Sequence, residues 1–323
     1  MAKIEQPPAT VYYGGQAVLE GVMIRGPEHM AIAVRHPKGH IVQHSERLST
    51  IYTGGARKVP LLRGVIVLWE TLALGMRALA FSSEVAYQEE AKDGEEIEFP
   101  KTVFWGTMAA ALVFVVAVFF AGPILIASLL ELWHVHRAVI VAVEGVIRLA
   151  MFVGYIALIG RIPDIRRVFQ YHGAEHMTIH AWEAGKPLTV EDIRPFPKEH
   201  TRCGTSFLLV VVTIALVTFF IFDVAVDEGL IVKVASRILL IPIIAGIAYE
   251  ILRIGARYGG NAFVHFMFIP NIALQRLTTK VPDDSQIEVA VSAFDAVLVE
   301  TNRLGAAEVA EEVENLEAAP PLD

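Results

Sequence analysis

VFWGTMAAALVFVVAVFFAGPILIASLL, residues 103–130, decides the fold class of this chain. The run carries no charged side chain and exceeds the roughly 20 apolar residues that cross the hydrocarbon core of a bilayer. Gly122 and Pro123 predict a kink inside it. Three more runs of similar character follow, at 138–160, 207–226 and 230–252. The expected fold is an α-helical integral membrane protein with about four transmembrane helices. Composition agrees: 54% of the 323 residues are hydrophobic and the mean hydropathy is +0.50, too apolar for an ordinary soluble domain. A net charge of −8 excludes a general nucleic-acid binder. The single cysteine, Cys203, excludes an internal disulfide framework. Residues 1–10 are polar, with two prolines, and do not read as a signal peptide. Insertion is therefore expected to rely on the internal runs.

Charges within the runs are few. Glu144 and Arg148 stand four apart in the second, in the order that suits a helical ion pair. A charge inside a bilayer faces a partner or a cavity, so these two read either as a structural pair or as part of a transport path. Lys233 and Arg237 open the fourth run and Glu250 closes it.

Before the first run, residues 11–58 read as a small β-rich module. Within it, 30–36 and 40–46 are extended and separated by the turn Pro37-Lys38-Gly39. The module opens on YGGQAVLEGVMIRGP, residues 13–27, dense in glycine but without a phosphate-loop pattern. Glu20 and Arg25 are its notable polar residues, read as bridges within the module or as functional groups. Residues 59–83 read as a helix with Arg63, Glu70 and Arg77 in one stripe, lying at the membrane surface or against the bundle. Residues 84–101 form an acidic linker.

After the last run, the chain from 254 to 304 holds a re-entrant or interfacial segment interrupted by His265 and Pro270, then a C-terminal amphipathic helix. That helix is expected to be capped by Ser285 with Glu288, with Ile287, Val291, Phe294 and Leu298 on its apolar face. Residues 305–323 read as a disordered acidic tail.

The 161–205 loop, inside the 102–253 membrane domain, carries Arg161, Arg166, Arg167, Lys186, Arg194, Lys198 and Arg202. The link between the third and fourth runs is acidic, with Asp223, Asp227 and Glu228. The positive-inside rule then places the loop and both termini in the cytosol, at the inner (plasma) membrane.

That loop also concentrates the chemistry. YHGAEHMTIH, residues 171–180, contains an H-x-x-E-H pattern in His172, Glu175 and His176. Four residues apart on a helix, the two imidazoles share a face and can reach one ion, with Glu175 beside them as a general base. His180 continues the face, while His200 and Cys203, three apart, can add ligands from a second turn. Glu250, at the cytosolic end of the fourth run, could complete a His-His-Glu set.

The chain resembles a known family at five places: GGQAVLEGVMIRGP at 14–27, YHGAEH at 171–176, RCGTSF at 202–207, QRLTT at 275–279 and IEVA at 287–290. These motifs are similar to those of the YqhQ-like bacterial integral membrane proteins, a domain of unknown function. The resemblance implies a membrane location and a metal-dependent activity.

Three functions compete. The first is a zinc-dependent hydrolase at the cytosolic membrane face, with His172 and His176 as ligands, Glu175 as base, a third ligand from Glu250, His200 or Cys203, and a peptide or lipid substrate. The second is a membrane scaffold or assembly factor with a structural metal closed by protein ligands. The third, a transporter built on Glu144 and Arg148, lacks an internal repeat to support it.

Overall fold

The glycine-dense start folds as sheet. In the computed structural model, which describes residues 13–88, 99–200, 203–225, 229–258 and 261–317, the strands are β1 (Gly14–Val18), β2 (Gly21–Arg25), β3 (His29–Arg35) and β4 (Ile41–Arg47). They form one antiparallel meander in the order β1-β2-β3-β4. Glu20 turns the first hairpin with a φ of 50°, and the predicted Pro37-Lys38-Gly39 turn places Gly39 at a φ of 93°. Besides short turns of helix at Thr50–Thr53 and Val190–Ile193, the helices are α1 (Leu62–Tyr87), α2 (Lys101–Trp133), α3 (Arg137–Ile159), α4 (Pro163–Glu183), α5 (Gly204–Ala225), α6 (Leu230–Leu239), α7 (Ile241–Arg257), α8 (Ala262–Thr278) and α9 (Asp284–Glu317).

The sheet is covered on both faces, which is why β3 is buried from His29 to Val34. Successive strand residues point to opposite sides. Met23, Met30, Ile32 and Val34 pack with Ile66, Leu74, Ala78 and Val85 of α1. Val22, Ile24, Ala31 and Ala33 pack with α4 and with Ile287, Phe294 and Val297 of α9. The alanines on the second face give α9 room to approach.

The cap of α9 differs from expectation. Asp283 Oδ1 accepts from the Gln286 amide, and Gln286 Oε1 accepts from the Asp283 amide, each at 3.0 Å. This reciprocal box displaces the Ser285/Glu288 assignment by two residues, and Glu288 instead pairs with Arg35 at 2.9 Å. The helix also runs through 305–317, where a disordered tail was expected, because its alanines and glutamates are strong helix formers. Residues 1–12, the acidic stretch 89–98 and residues 318–323 lie outside the described residues.

Among the described residues, four helices are each long and apolar enough to cross a membrane: α1, α2, α3 and 207–225 of α5. The three runs predicted first are among them. The expected fourth span, 230–252, passes the same test as a pair of helices meeting at 43°, with Pro242 just past the break. The addition to the predicted set is α1, which meets the criteria of length and apolarity. Its charged stripe is fully partnered. Arg63 and Glu250 pair; Glu70 is buried and held by Arg25 at 2.8 Å and Arg57 at 3.1 Å; Arg77 reaches Glu46 at 2.6 Å. Arg25 is thus a brace between sheet and helix. Gly64 of α1 lies so close to Gly246 of α7 that an added Cβ would come within 2.7 Å of it. The opposite side of α1 leaves Trp69 and Leu72 exposed.

The predicted Glu144–Arg148 pair exists, at 2.5 Å, but inside a larger network. Arg237 is fully buried and contacts Glu144 at 2.7 Å and Asp223 at 2.5 Å. Asp223 therefore belongs to helix α5 and not to an acidic link; Asp227 and Glu228 lie outside the described residues. Two acids and two arginines balance across α3, α5 and α6, with Phe219 against both guanidinium groups at 5.2 and 5.1 Å. Arg148 Nε also donates to the Phe119 carbonyl at 3.1 Å. Pro123 lacks the N–H that would bond that oxygen in a regular helix, so Arg148 completes a break in α2 that begins as a π-helical stretch at Val116–Ala121.

Glu144→Gln should cost about 3 kcal/mol or more, because it leaves two buried arginines facing one carboxylate. The double variant Glu144→Gln/Arg148→Gln restores the balance and should lose much less. Thermal melts in detergent compare them; equal losses would contradict pairing.

Candidate metal centre

Helix α4 starts on Pro163 at its first turn and ends in a left-handed Gly185, φ 69°, whose following amide, Lys186, returns to the Ala181 carbonyl at 2.9 Å. Between these ends it is polar, yet buried almost all round from Gly173 to Ile179. The sheet, α9 and the segments around 200 and 280 enclose it. Polar residues stay buried when they have partners, and here the partners converge.

His172 Nδ1 lies 2.9 Å from the Thr278 carbonyl, and His176 Nδ1 lies 2.6 Å from the Lys198 carbonyl. A carbonyl oxygen only accepts, so each Nδ1 carries the proton and each Nε2 carries the lone pair. Cys203 Sγ is 3.2 Å from His172 Nε2. One donor atom from each of His172, His176 and Cys203 lies within 4.8 Å of the others. Glu175 Oε2 stands 3.7 Å from His176 Nε2 and 3.9 Å from His172 Nε2. Glu175 Oε2 and His176 Nε2 are both buried without a hydrogen-bond partner.

Burial pushes the Glu175 carboxyl up to about 8, with the adjacent Cys203 adding to the rise, while His172 and the Gly15 N–H oppose it. Burial also holds His176 well below the ordinary histidine value. These two are a neutral imidazole and a strained carboxyl set side by side, as a cation site would leave them.

The other motifs build the walls. Gly15 of β1 donates its N–H to Glu175, and a Cβ at Gly15 would meet the Glu175 side chain at 2.6 Å. A Cβ at Gly173 would meet the Lys280 carbonyl oxygen at 2.1 Å. Gln275 clamps the His200 backbone, accepting from its N–H and donating to its carbonyl, both at 2.9 Å. Glu20 fixes the first hairpin to α4 through Arg167, with two bonds at 2.6 Å, and Tyr171 at 3.1 Å. Glu20, Arg25, Glu144 and Arg148 are each held in ion pairs in this fold.

Two expected ligands are elsewhere. Glu250 is bound to both Arg63 and the Leu61 amide, so it does not join the histidines. His200 groups with His180 and Glu183, not with His172 and His176. Cys203 alone of the three candidates reaches the first pair. Sequence reasoning missed Gly15, Gly173 and Gln275, although the density of glycine in 13–27 was visible. It also missed Glu183, which continues the 172–176–180 stripe at the next helical spacing.

A family model described as "Protein of unknown function (DUF1385)" matches residues 59–300. A curated relative, the "Uncharacterized protein YqhQ" of Bacillus subtilis (strain 168), is 33% identical over 313 residues, covering 92% of this chain and 95% of its own. The chain belongs to this YqhQ-like family. No solved structure matches it. Four of the YqhQ-like motifs, scattered over more than 260 positions of sequence, meet around α4: the first supplies Gly15, the second His172, Glu175 and His176, the third Cys203, and the fourth Gln275 and Thr278.

Proposed function

We propose that this chain is a zinc-dependent hydrolase working at the cytosolic face of the inner membrane on a peptide or lipid substrate. The observation that carries the reading is the convergence of two imidazoles and a thiol on one buried point beside an unpartnered carboxylate oxygen. Two nitrogens and a sulfur are a zinc donor set, and the orphaned His176 Nε2 fits a cation, with the orphaned Glu175 Oε2 beside it. Bound there, zinc would supply Lewis acidity and make water acidic enough to lose a proton near neutral pH. His172 and His176 would bind, their orientation fixed by the Thr278 and Lys198 carbonyls. Cys203 would bind as a thiolate. Glu175 would accept a proton from water and hand it to the leaving group.

Membrane placement rests on the apolar helices. α2, α3, α5 and the bent pair α6–α7 would cross, and the basic 161–205 segment would lie inside. Cys203 immediately precedes α5, and α4 follows α3 after three residues, so the site falls at the same end of both helices. The sheet covers α1 along one side, which favours α1 lying at the surface with Trp69 and Leu72 towards lipid.

A closed structural zinc in a scaffold protein is the second reading, favoured by the depth of His176 and Glu175, 2% and 3% exposed. Metal analysis of the full chain purified in detergent tests what both share. Zinc should co-purify, and returning it to stripped protein should add about 4 kcal/mol of stability at a thousandfold excess over Kd. Absence of transition metal, with no rise in melting temperature, would overturn both.

A further inference from the structure

We propose that α4 holds a second divalent-metal site, made by His180, Glu183 and His200, separate from the thiolate site and more open to solvent. One donor atom from each of these residues lies within 4.8 Å of the others, as in the inner group. The arrangement repeats the inner one about two turns further along the helix. There, α4 contributes His172 and His176 and the 200–203 segment contributes Cys203; here, α4 contributes His180 and Glu183 and the same segment contributes His200.

The donor chemistry suits an ion. His200 is 5% exposed, and its Nε2 lies 3.3 Å from Glu183 Oε2. The Glu199 carbonyl, 2.8 Å from His180 Nε2, fixes which nitrogen of that ring carries the proton, and the other then carries the lone pair. The His180 and His200 rings are 4.4 Å apart, the same separation as His172 and His176. Two imidazoles and one carboxylate hold zinc, ferrous or manganous ions and leave coordination positions for water.

No residue belongs to both groups, so this is not a bridged pair of the kind with ions about 4 Å apart. The midpoints of the two α4 pairs, near 174 and 181, are about 11 Å apart along the helix axis. The inner group is buried at His176 and Cys203, whereas the Glu183 side chain is 35% exposed. The outer ion should therefore exchange faster and leave first under a chelator.

This inference does not require the inner site to be catalytic. The test strips the full-length detergent-purified chain of metal and titrates it with cobalt(II), which absorbs by charge transfer only when a thiolate binds it. Wild type should bind two ions, one of them giving the thiolate band. His180→Ala and Glu183→Gln should each bind one and keep the band. Cys203→Ser should lose the band and keep the outer ion. Binding of a single ion with the thiolate band would overturn the second site and leave the inner one standing. A stoichiometry of two in both His180→Ala and Glu183→Gln would overturn it as well. A single ion without the band, lost in His180→Ala, would support the outer site and remove the inner reading.

Discussion

Glu175→Gln should keep bound zinc at wild-type stoichiometry and lower hydrolytic turnover by a factor of about 10² to 10⁴, the range of a lost general base. His172→Ala, His176→Ala and Cys203→Ser should each deplete the metal. The geometry separates the roles. His172, His176 and Cys203 each place a donor atom in one cluster 4.8 Å across, while Glu175 Oε2 sits to the side, 3.7 Å from the nearer imidazole nitrogen. Glutamine keeps the shape of the side chain and the oxygen that accepts from Gly15, but it cannot take a proton. If Glu175 is a fourth ligand instead, the same substitution weakens zinc retention, and metal analysis before any assay reads that outcome. Loss of metal in Glu175→Gln would therefore decide for the closed structural site.

Gly173→Ala should lower stability by about 3 kcal/mol or more, the upper range for overpacking a filled interior. Alanine in place of a helical glycine is worth about 1 kcal/mol in its favour by intrinsic propensity. The overlap outweighs that gain, because the new methyl would stand 2.1 Å from the Lys280 carbonyl oxygen, and a backbone atom has no rotamer to retreat into. α4 must then move away from the 278–282 segment, taking His172 from the Thr278 carbonyl. A melting curve in detergent should show the loss, and zinc content should fall with it. Gly15→Ala is the control: its methyl would meet the flexible Glu175 side chain, so turnover should suffer more than melting temperature. A wild-type melting temperature for Gly173→Ala would refute the close packing.

The sequence exposed what depends on local order. The hairpin turn at 37–39, the apolar runs and the H-x-x-E-H spacing all follow from neighbours in the chain, and the structure contains each of them. What it concealed depends on which way a helix faces. Glu250 sits at the end of the fourth apolar run, as read, but its helix turns it to Arg63. His200 and Cys203 are three apart and both read as ligands for one ion, whereas they fall in different groups. Pro242 was a visible breaker inside the run 230–252, and the high apolarity around it hid the bend. The role of Gly15 required knowing what crosses over it. A glycine selected for close approach looks, in sequence, like one selected for a turn.

The four-charge network bears on how such a chain could be built. Glu144 and Arg148 cancel each other within α3, one helical turn apart. Asp223 and Arg237 cancel across the α5–α6 junction. On the proposed placement, α3 would leave the ribosome and partition into lipid as a neutral unit, and the α5–α6 hairpin would do the same some eighty residues later. Neither would have to wait for the other. The contact of Arg237 with Glu144 would then form only as the two units dock, fixing their rotation and depth relative to one another after both are already inserted.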